Sequence, residues 1–361
     1  MKVLVTGAAG FIGNYLSRQL VWRGDDVVGI DNFDDYYARN CKEFNVDLIN
    51  LAAVRNTQYF SKKAVLPIYK KLSTYYKNIL PGEKRGSFKF YELDIRDMDA
   101  MNNLFYKEKF DKVVHLAAMG GVPFSTKNPV KYTQVNVDGT TNLLTASKDN
   151  GVKKFVFAST ASVYGSKELK IVKETDSVMN ANSNYGATKV AGEVLCYAFN
   201  NLYGLKTVSA RIFGPIYGPL QRPKGMFFQR SINAIRNGRV IQIYGRLGLE
   251  TAKDTTYIDD EVNGLILIMD SNLNAYDVFN IGTSDAHPIK YWIDAIEKAY
   301  GKKLKIEIID SDKADTTSSA DISKAKKLLG YKPTIDIYEG AKRQVEVYKL
   351  MPKWYQSMSD V

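Results

Sequence analysis

Tyr185 and Lys189 stand four residues apart in the stretch SNYGATKVAGEV, residues 183–194, and therefore share one face of a helix. A phenol with its usual pKa of ~10 is almost never a base at neutral pH. An ammonium group beside it stabilises the anion, and bringing the phenol to neutrality takes about 4 kcal/mol of such stabilisation. Two partly desolvated positive charges suffice, and the product is a phenolate able to draw a proton from an alcohol. Two surface neighbours on an ordinary amphipathic helix carry the same spacing, so the surroundings must decide.

A source for the second charge lies near the N-terminus. In TGAAGFIG, Gly7, Gly10 and Gly13 recur every third residue between a strand and a helix that runs to about Arg23. A diphosphate needs backbone N–H groups close by and the positive end of a helix dipole aimed at it, and side chains at these positions block the approach. A plain tight turn uses glycine in the same way. Asp31 ends the second strand, where a carboxylate accepts both hydroxyls of an adenine ribose and repels a phosphate on it; this favours NAD over NADP, and a solvated turn acid is the other reading. Asp94, in ELDIRD after the third strand, is placed either to meet the adenine or to cap a helix. A bound oxidised nicotinamide would then be the second charge acting on Tyr185.

These residues need elements to hold them. Short β-branched runs fall at 2–6, 27–30, 88–93, 112–118, 154–159 and 207–213, and amphipathic stretches such as 130–148 and 185–203 separate them. The alternation predicts an α/β fold with a doubly wound parallel sheet. We read residues 1–175 as the dinucleotide-binding domain, joined by helix 185–203 and strand 207–212. Residues 176–361 are mainly a smaller mixed α/β substrate domain, in which the stretch from Tyr257 to Met269 is expected to return to the sheet.

Composition narrows the function classes. Hydrophobic residues at 45% and charged residues at 25% describe a folded globular chain. With Cys41 and Cys196 as the cysteines and His115 and His287 as the histidines, a Cys/His zinc site is not expected. No uncharged apolar run reaches the ~18 residues of a membrane span, and the first residues read as strand and turn, not as a signal peptide, so a cytoplasmic protein is expected. The net charge of +11 is uneven: between Cys41 and Gly86, nine Lys or Arg face three acids. Lys62, Lys63, Lys70 and Lys71 there interleave with Tyr59, Tyr69, Tyr75 and Tyr76, a pattern open to an anionic partner. The blander reading, a helical hairpin packing its aromatics on the body, is preferred, and no nucleic-acid partner is expected.

The motifs TGAAGFIG, HLAAMGG, VNVDGT, FASTASVYG and YGATK occur in this order, followed by YGPLQRP, DTTYIDD and FNIGTS. Together they resemble the extended short-chain dehydrogenase/reductases, in particular the nucleotide-sugar 4-epimerases, over nearly the whole chain. The resemblance implies NAD as cofactor, with Tyr185 as acid/base, Lys189 lowering its pKa while holding the nicotinamide ribose, and Thr160 bridging the tyrosine and the sugar hydroxyl. It extends the cofactor set from Gly7, Gly10, Gly13, Asp31 and Asp94 to Phe11, Ile12, Asn32, Ile95, Leu116, Ala117, Ala118, Asn136 and Ser159. Thr160, Ser162, Gly214, Arg222 and Lys253 are the implied substrate contacts, and a homodimer is the implied assembly.

Departures from the pattern bear on the reaction. Where the family's dehydratases carry an Asp-Glu pair after the catalytic Thr, this chain has Ala161-Ser162, and the glutamate of the decarboxylases is also missing. Inversion at C4 of a UDP-sugar is what remains. DNFDDYYARN and Arg222 resemble UDP-glucuronate 4-epimerases. Gly121-Val122-Pro123-Phe124-Ser125, Ala161 and Gly214, however, stand where those enzymes place groups suited to a carboxylate. Lys253 stands where most relatives have Arg, and Lys313 is the basic residue nearest a second phosphate-binding position. UDP-glucuronate and a neutral UDP-hexose or N-acetylhexosamine both stay open, as do another nucleotide-sugar reaction of the superfamily (decarboxylation, dehydration or oxidoreduction), a non-catalytic NAD-binding role and a nucleic-acid-binding one.

Overall fold

The computed structural model describes residues 1–54, 64–75, 85–165, 170–222, 225–310 and 318–358. Tyr59, Lys62, Lys63, Tyr76 and Lys313, singled out from the sequence, lie outside the described residues, as do Arg55, Lys77 and Lys84 among the nine basic residues of the excursion. The chain forms two compact units. Met1–Gly165, Ser177–Arg211 and Val262–Phe279 make the first; Ser166–Asp176, Ile212–Glu261 and Asn280–Val361 make the second. No single boundary near residue 175 separates them.

In chain order the first half runs β1 (Lys2–Thr6), α1 (Phe11–Arg23), β2 (Asp26–Asp31), α2 (Arg39–Ala53), α3 (Leu66–Tyr75), β3 (Phe88–Glu92), α4 (Met98–Glu108), β4 (Lys112–His115), α5 (Val122–Lys127), α6 (Pro129–Thr133), α7 (Gly139–Asp149) and β5 (Lys154–Thr160). Then come β6 (Lys170–Val172), α8 (Asn184–Tyr203), β7 (Thr207–Ile212), α9 (Phe227–Asn237), β8 (Val240–Tyr244), β9 (Ala252–Asp254), α10 (Ile258–Asp270) and β10 (Asp277–Ile281). The chain closes with β11 (Ala286–Pro288), α11 (Ile289–Tyr300), β12 (Lys305–Ile309), β13 (Ser318–Ala320), α12 (Ser323–Leu329), α13 (Ile337–Leu350) and α14 (Lys353–Gln356).

The main sheet has seven strands in the order β10-β7-β5-β4-β1-β2-β3, and the pairings β1–β2, β2–β3, β1–β4 and β4–β5 are parallel. Strands covered by helices on both faces read as continuous apolar runs, which is why KVLVT and FVFA are legible as strands. Val3, Leu4, Val5, Phe155, Val156 and Phe157 are fully buried. The order reverses between β1 and β4, and in such sheets ligands settle beyond the carboxyl ends of the strands at that reversal.

Three local expectations change. β4 ends at His115, not Ala118, because the next two N–H groups, of Leu116 and Ala117, turn to the Thr6 side chain at 3.1 and 3.0 Å. The crossover at 130–148 contains a π-helical turn, Gln134–Asp138, between α6 and α7. The stretch from Tyr257 to Met269 does not return to the sheet but forms α10. Val262, Leu265, Ile268 and Met269 are buried at helical spacing, and three acids, Asp259, Asp260 and Glu261, stand in its first turn. The strand that rejoins the sheet is β10.

In the basic excursion, α3 buries Ile68, Tyr69 and Leu72, and the Tyr69 hydroxyl accepts from Trp22 Nε1 and Arg85 Nη1, each at 3.3 Å. Lys70 is exposed, whereas Lys42 is buried. The second unit holds a four-stranded sheet, β11-β9-β13-β6, and a parallel pair, β8 with β12. Its aromatic core stacks Tyr217 on Phe228 at 4.3 Å and Phe228 on Trp292 at 5.8 Å.

Candidate functional site

The glycine loop joins β1 to α1 at the reversal of strand order. Gly7 has φ +70°, and a Cβ there would come within 2.9 Å of the Ala117 nitrogen. A Cβ on Gly13 would sit 2.1 Å from the Gly7 carbonyl oxygen, so the first turn of α1 presses on the loop as only glycine permits. Gly10 caps α1 without a side chain, and the first turn holds no acid. The N–H groups at Phe11, Ile12 and Gly13 therefore face no side-chain acceptor from the cap, as an anion at a helix N-terminus requires. Phe11 itself packs edge-on against Tyr15 at 5.8 Å. The cradle fits a dinucleotide diphosphate.

Beyond it lies the end of β2. Asp31 is buried, accepts the Phe33 N–H at 2.9 Å and pairs with Lys42 Nζ at 3.3 Å. Burial raises the pKa of its carboxyl, and the charge of Lys42 opposes that rise. Asn32 donates to Asp94 Oδ2 at 2.9 Å. Burial disfavours the charged form of Asp94, but hydrogen bonds from the Arg96 side chain and backbone and from Asn32 hold its pKa at about 2. Asp94 does not cap a helix: Asp97 caps α4, accepting from the Ala100 N–H at 2.9 Å. Asn32, Asp94 and Arg96 line an open depression together with Asp34, Asp35, Glu92 and Leu93. Ile95 is buried in the core beneath, and its carbonyl accepts from Asn142.

The third group gathers where β5 ends. Thr160 is its last residue and caps the 3-10 turn Ala161–Tyr164; its hydroxyl accepts from the Ser162 N–H at 3.3 Å and lies 3.4 Å from Ser162 Oγ. The turn sits against the head of α8, where a Cβ on Gly186 would come within 2.7 Å of the Ser162 carbonyl oxygen. Ser183 caps α8 and Tyr185 opens its first turn, half-buried and edge-on to Tyr132 at 6.4 Å. One turn on, Lys189 is buried: its Nζ donates to the Ala158 carbonyl at 2.9 Å and lies 4.8 Å from the centre of the Phe157 ring. Burial lowers its pKa to about 8, opposed by Cys196 and Glu193. Ser159 turns away from the crevice, donating to Glu193 Oε1 at 2.5 Å, and Glu193 pairs with Arg211 at 2.7 Å. The Arg211 guanidinium also donates to the Tyr164 hydroxyl at 2.9 Å.

After β4, Leu116 and Ala117 are half-buried and Ala118 is exposed. Asn136 does not present its amide to a ligand: Nδ2 donates to the Met119 carbonyl and to Thr188 Oγ1, both at 3.0 Å, while Oδ1 accepts the Met119 N–H at 2.8 Å. It braces the loop after β4 against α8. The second unit carries the remaining three residues. Gly214 follows β7 and is exposed, Arg222 is half-buried, and Lys253, on β9, has its pKa lowered by burial. Among the described residues no acid pairs with the Lys253 ammonium group within 4.0 Å.

Sequence reasoning missed Lys42, Glu193, Arg211 and the buried His115. Glu193 was accessible in principle, lying at i+4 from Lys189 and i+8 from Tyr185 on the same helix face. Lys42 gave no local signal, since its partner lies eleven residues away across a loop.

The family model described as the NAD dependent epimerase/dehydratase family matches residues 3–282. A UDP-glucuronate 4-epimerase of Thermodesulfobacterium geofontis is 36% identical over 344 residues, covering 95% of this chain and 94% of that protein. The crystal structure of UDP-glucuronic acid 4-epimerase from Bacillus cereus in complex with UDP-glucuronic acid and NAD has a TM-score of 0.79 at 32% identity, covering 97% of this chain and 100% of that one. UDP-glucose 4-epimerase from Thermotoga maritima with UDP-glucose has a TM-score of 0.75 at 28% identity, covering 97% and 99%.

Proposed function

Given that this chain belongs to the NAD dependent epimerase/dehydratase family, we propose that it binds NAD and inverts C4 of a UDP-sugar through a transient 4-keto sugar. The carrying observation is the buried Lys189, held on the Ala158 carbonyl one helical turn below Tyr185 at the end of β5. A lysine is expensive to bury, and this one has no acid within 4.0 Å among the described residues. That cost is understandable where a positive charge is needed beside a phenol and a ribose.

Gly7, Gly10 and Gly13, with the N–H groups of Phe11 and Ile12, hold the diphosphate of NAD. Asp31, Asn32 and Asp94 receive its adenosine end, and the backbone of Leu116, Ala117, Ala118 and Ser159 follows its path. NAD when bound supplies a reversible acceptor for the C4 hydride. Tyr185 takes the C4 hydroxyl proton and returns it, Lys189 favours the phenolate electrostatically, and the Thr160 hydroxyl aligns the sugar oxygen with Tyr185. Ala161 and Ser162 offer no second carboxylate, so elimination and decarboxylation lack their acid and base. Arg222 and Lys253 contact the UDP diphosphate, and Gly214 leaves room for the sugar. Binding energy from the nucleotide lets the sugar turn without leaving.

The loop after β4 favours a neutral hexose or N-acetylhexosamine, since residues 121–125 carry no cation for a uronate. Arg222 and the DNFDDYYARN loop favour UDP-glucuronate. Incubation with UDP-glucose, UDP-N-acetylglucosamine and UDP-glucuronate separately, read by NMR for the C4 epimer, decides between them. Tyr185→Phe is expected to abolish turnover and leave NAD bound; normal turnover by this variant would sink the mechanism. A sensor without turnover has no need of the Tyr185, Lys189 and Thr160 set. Val194, Tyr197, Leu202 and Tyr203 are exposed along α8 and support a homodimer, which sedimentation velocity checks.

A further inference from the structure

His115, the last residue of β4, takes no part in the chemistry above, yet its surroundings assign every proton on its ring. Thr6 Oγ1 accepts the N–H groups of Leu116 and Ala117 at 3.1 and 3.0 Å, which occupies both of its lone pairs. Its own proton must therefore point to His115 Nδ1, 2.8 Å away. A nitrogen that accepts carries no hydrogen, so the ring proton is on Nε2 and donates to Thr140 Oγ1 at 2.9 Å. The Thr140 hydroxyl donates in turn to the Asn136 carbonyl at 2.6 Å, inside the π-helical turn.

The chain of bonds continues to the reacting helix. The Asn136 amide donates to Thr188 Oγ1, and that hydroxyl donates to the Tyr185 carbonyl at 2.9 Å. Thr6 and Thr140 are 0% exposed, and His115 and Asn136 are 1%, so bulk water cannot replace these partners. Phe155 and Phe157 wall the imidazole at 5.9 and 5.8 Å. Burial first, and the charge of Lys189 second, push the His115 pKa well below its usual value. A protonated ring would also lose the Thr6 bond, since Nδ1 could no longer accept.

We propose that His115, fixed as the neutral Nε2–H tautomer, is a positioning residue that ties the glycine loop at the end of β1 to Asn136 and, through Thr188, to the Tyr185 turn of α8. One arm, Thr6, sets the backbone against which the cofactor cradle closes. The other, Thr140, sets the π-helical turn that braces α8. The effects on rate and on NAD affinity rest on the function proposed above; the tautomer does not.

The test uses the fact that the full chain has two histidines, His115 and His287. Long-range 1H–15N NMR of 15N-histidine-labelled protein, with His287→Asn for assignment, is expected to show His115 with a bare Nδ1 and a protonated Nε2 from pH 5.5 to 9. A His115 signal that titrates in that range, or one protonated at Nδ1, overturns the proposal. His115→Asn keeps an acceptor near the Nδ1 position, and His115→Gln keeps a donor near the Nε2 position. The first is expected to leave NAD affinity within about twofold and lower kcat about tenfold, as one lost hydrogen bond allows. The second is expected to do the reverse, with KM for the sugar unchanged in both. Equal losses of affinity and rate in the two variants would mean that the ring merely fills space. Should they fail to fold, Thr140→Val serves in their place, with a lower kcat at preserved NAD affinity expected and no change in kcat overturning the proposal. A wild type that binds NAD but inverts no UDP-sugar sinks the proposed function alone, and the NMR and affinity results still decide this inference.

Discussion

Lys42 and Lys189 are both buried in the first unit, and they are held in opposite ways. Lys42 reaches from α2 to a carboxylate, Asp31, at 3.3 Å, while Lys189 reaches from α8 to a neutral carbonyl and an aromatic face. A buried cation with a counter-ion is a structural joint, because each charge answers the other's desolvation. Among the described residues Lys189 has no such counter-ion, and burial lowers its pKa to about 8. In the second unit, Lys253 shares the pattern of Lys189: burial lowers its pKa, and no acid lies within 4.0 Å among the described residues. Pairing, not burial, is what distinguishes Lys42 from Lys189; Lys154, buried on the Ser271 carbonyl with its pKa lowered to about 8, shows that an unpaired buried lysine does not by itself mark a ligand site.

Substitutions can break that contrast. Lys189→Met is expected to lower turnover by a factor on the order of 10² to 10⁴, the range for losing a group that supports acid–base catalysis. Without NAD the same variant is expected to melt a few degrees higher, because it removes an unpaired buried charge. The sign with pH follows: the folded pKa of about 8 lies below the ordinary 10.5, so unfolding takes up protons between them and wild-type stability rises with pH there. The melting advantage of Lys189→Met should thus be full at pH 7 and shrink toward pH 10, and an advantage that grew instead would contradict the buried charge.

Lys42→Met is expected to act the other way, costing about 3 kcal/mol of stability at pH 8 by stranding Asp31. In urea unfolding that loss should narrow as the pH falls and Asp31 takes up a proton; a neutral effect at pH 8 would make the pair dispensable. Lys253→Met is expected to raise KM for the UDP-sugar about tenfold with kcat unchanged, since a phosphate contact is made equally in ground and transition states. The smallest effect belongs to Lys70→Ala with Lys71→Ala, expected to stay within about 0.5 kcal/mol in stability. Salt-dependent binding of RNA by the wild type that this pair of changes removed would instead give the basic excursion a partner.

Legibility followed the range of the interactions. β1, α1, β2 and α8 were readable because burial on both faces, or on one helical stripe, writes itself into a few adjacent residues. The stretch from Tyr257 to Met269 misled because a short apolar run suits helix or strand alike, and the acids that begin α10 were the discriminating signal. Tyr185, Lys189 and the three glycines were visible as spacings. The partners of Asp31, Ser159 and Asn136 were not, because each comes from a segment distant along the chain.

The order of residues alone thus determined which local conformations were available: glycine where the loop crosses the head of α1, a phenol and an ammonium group on one helical face, and apolar runs for a parallel sheet. Only the tertiary structure decided which lysine meets a carboxylate and which meets a carbonyl. It likewise decided which ring nitrogen of His115 carries the proton. Charge pairing and tautomer depend on distances between residues far apart in sequence, and those distances exist only once the strands have taken their order.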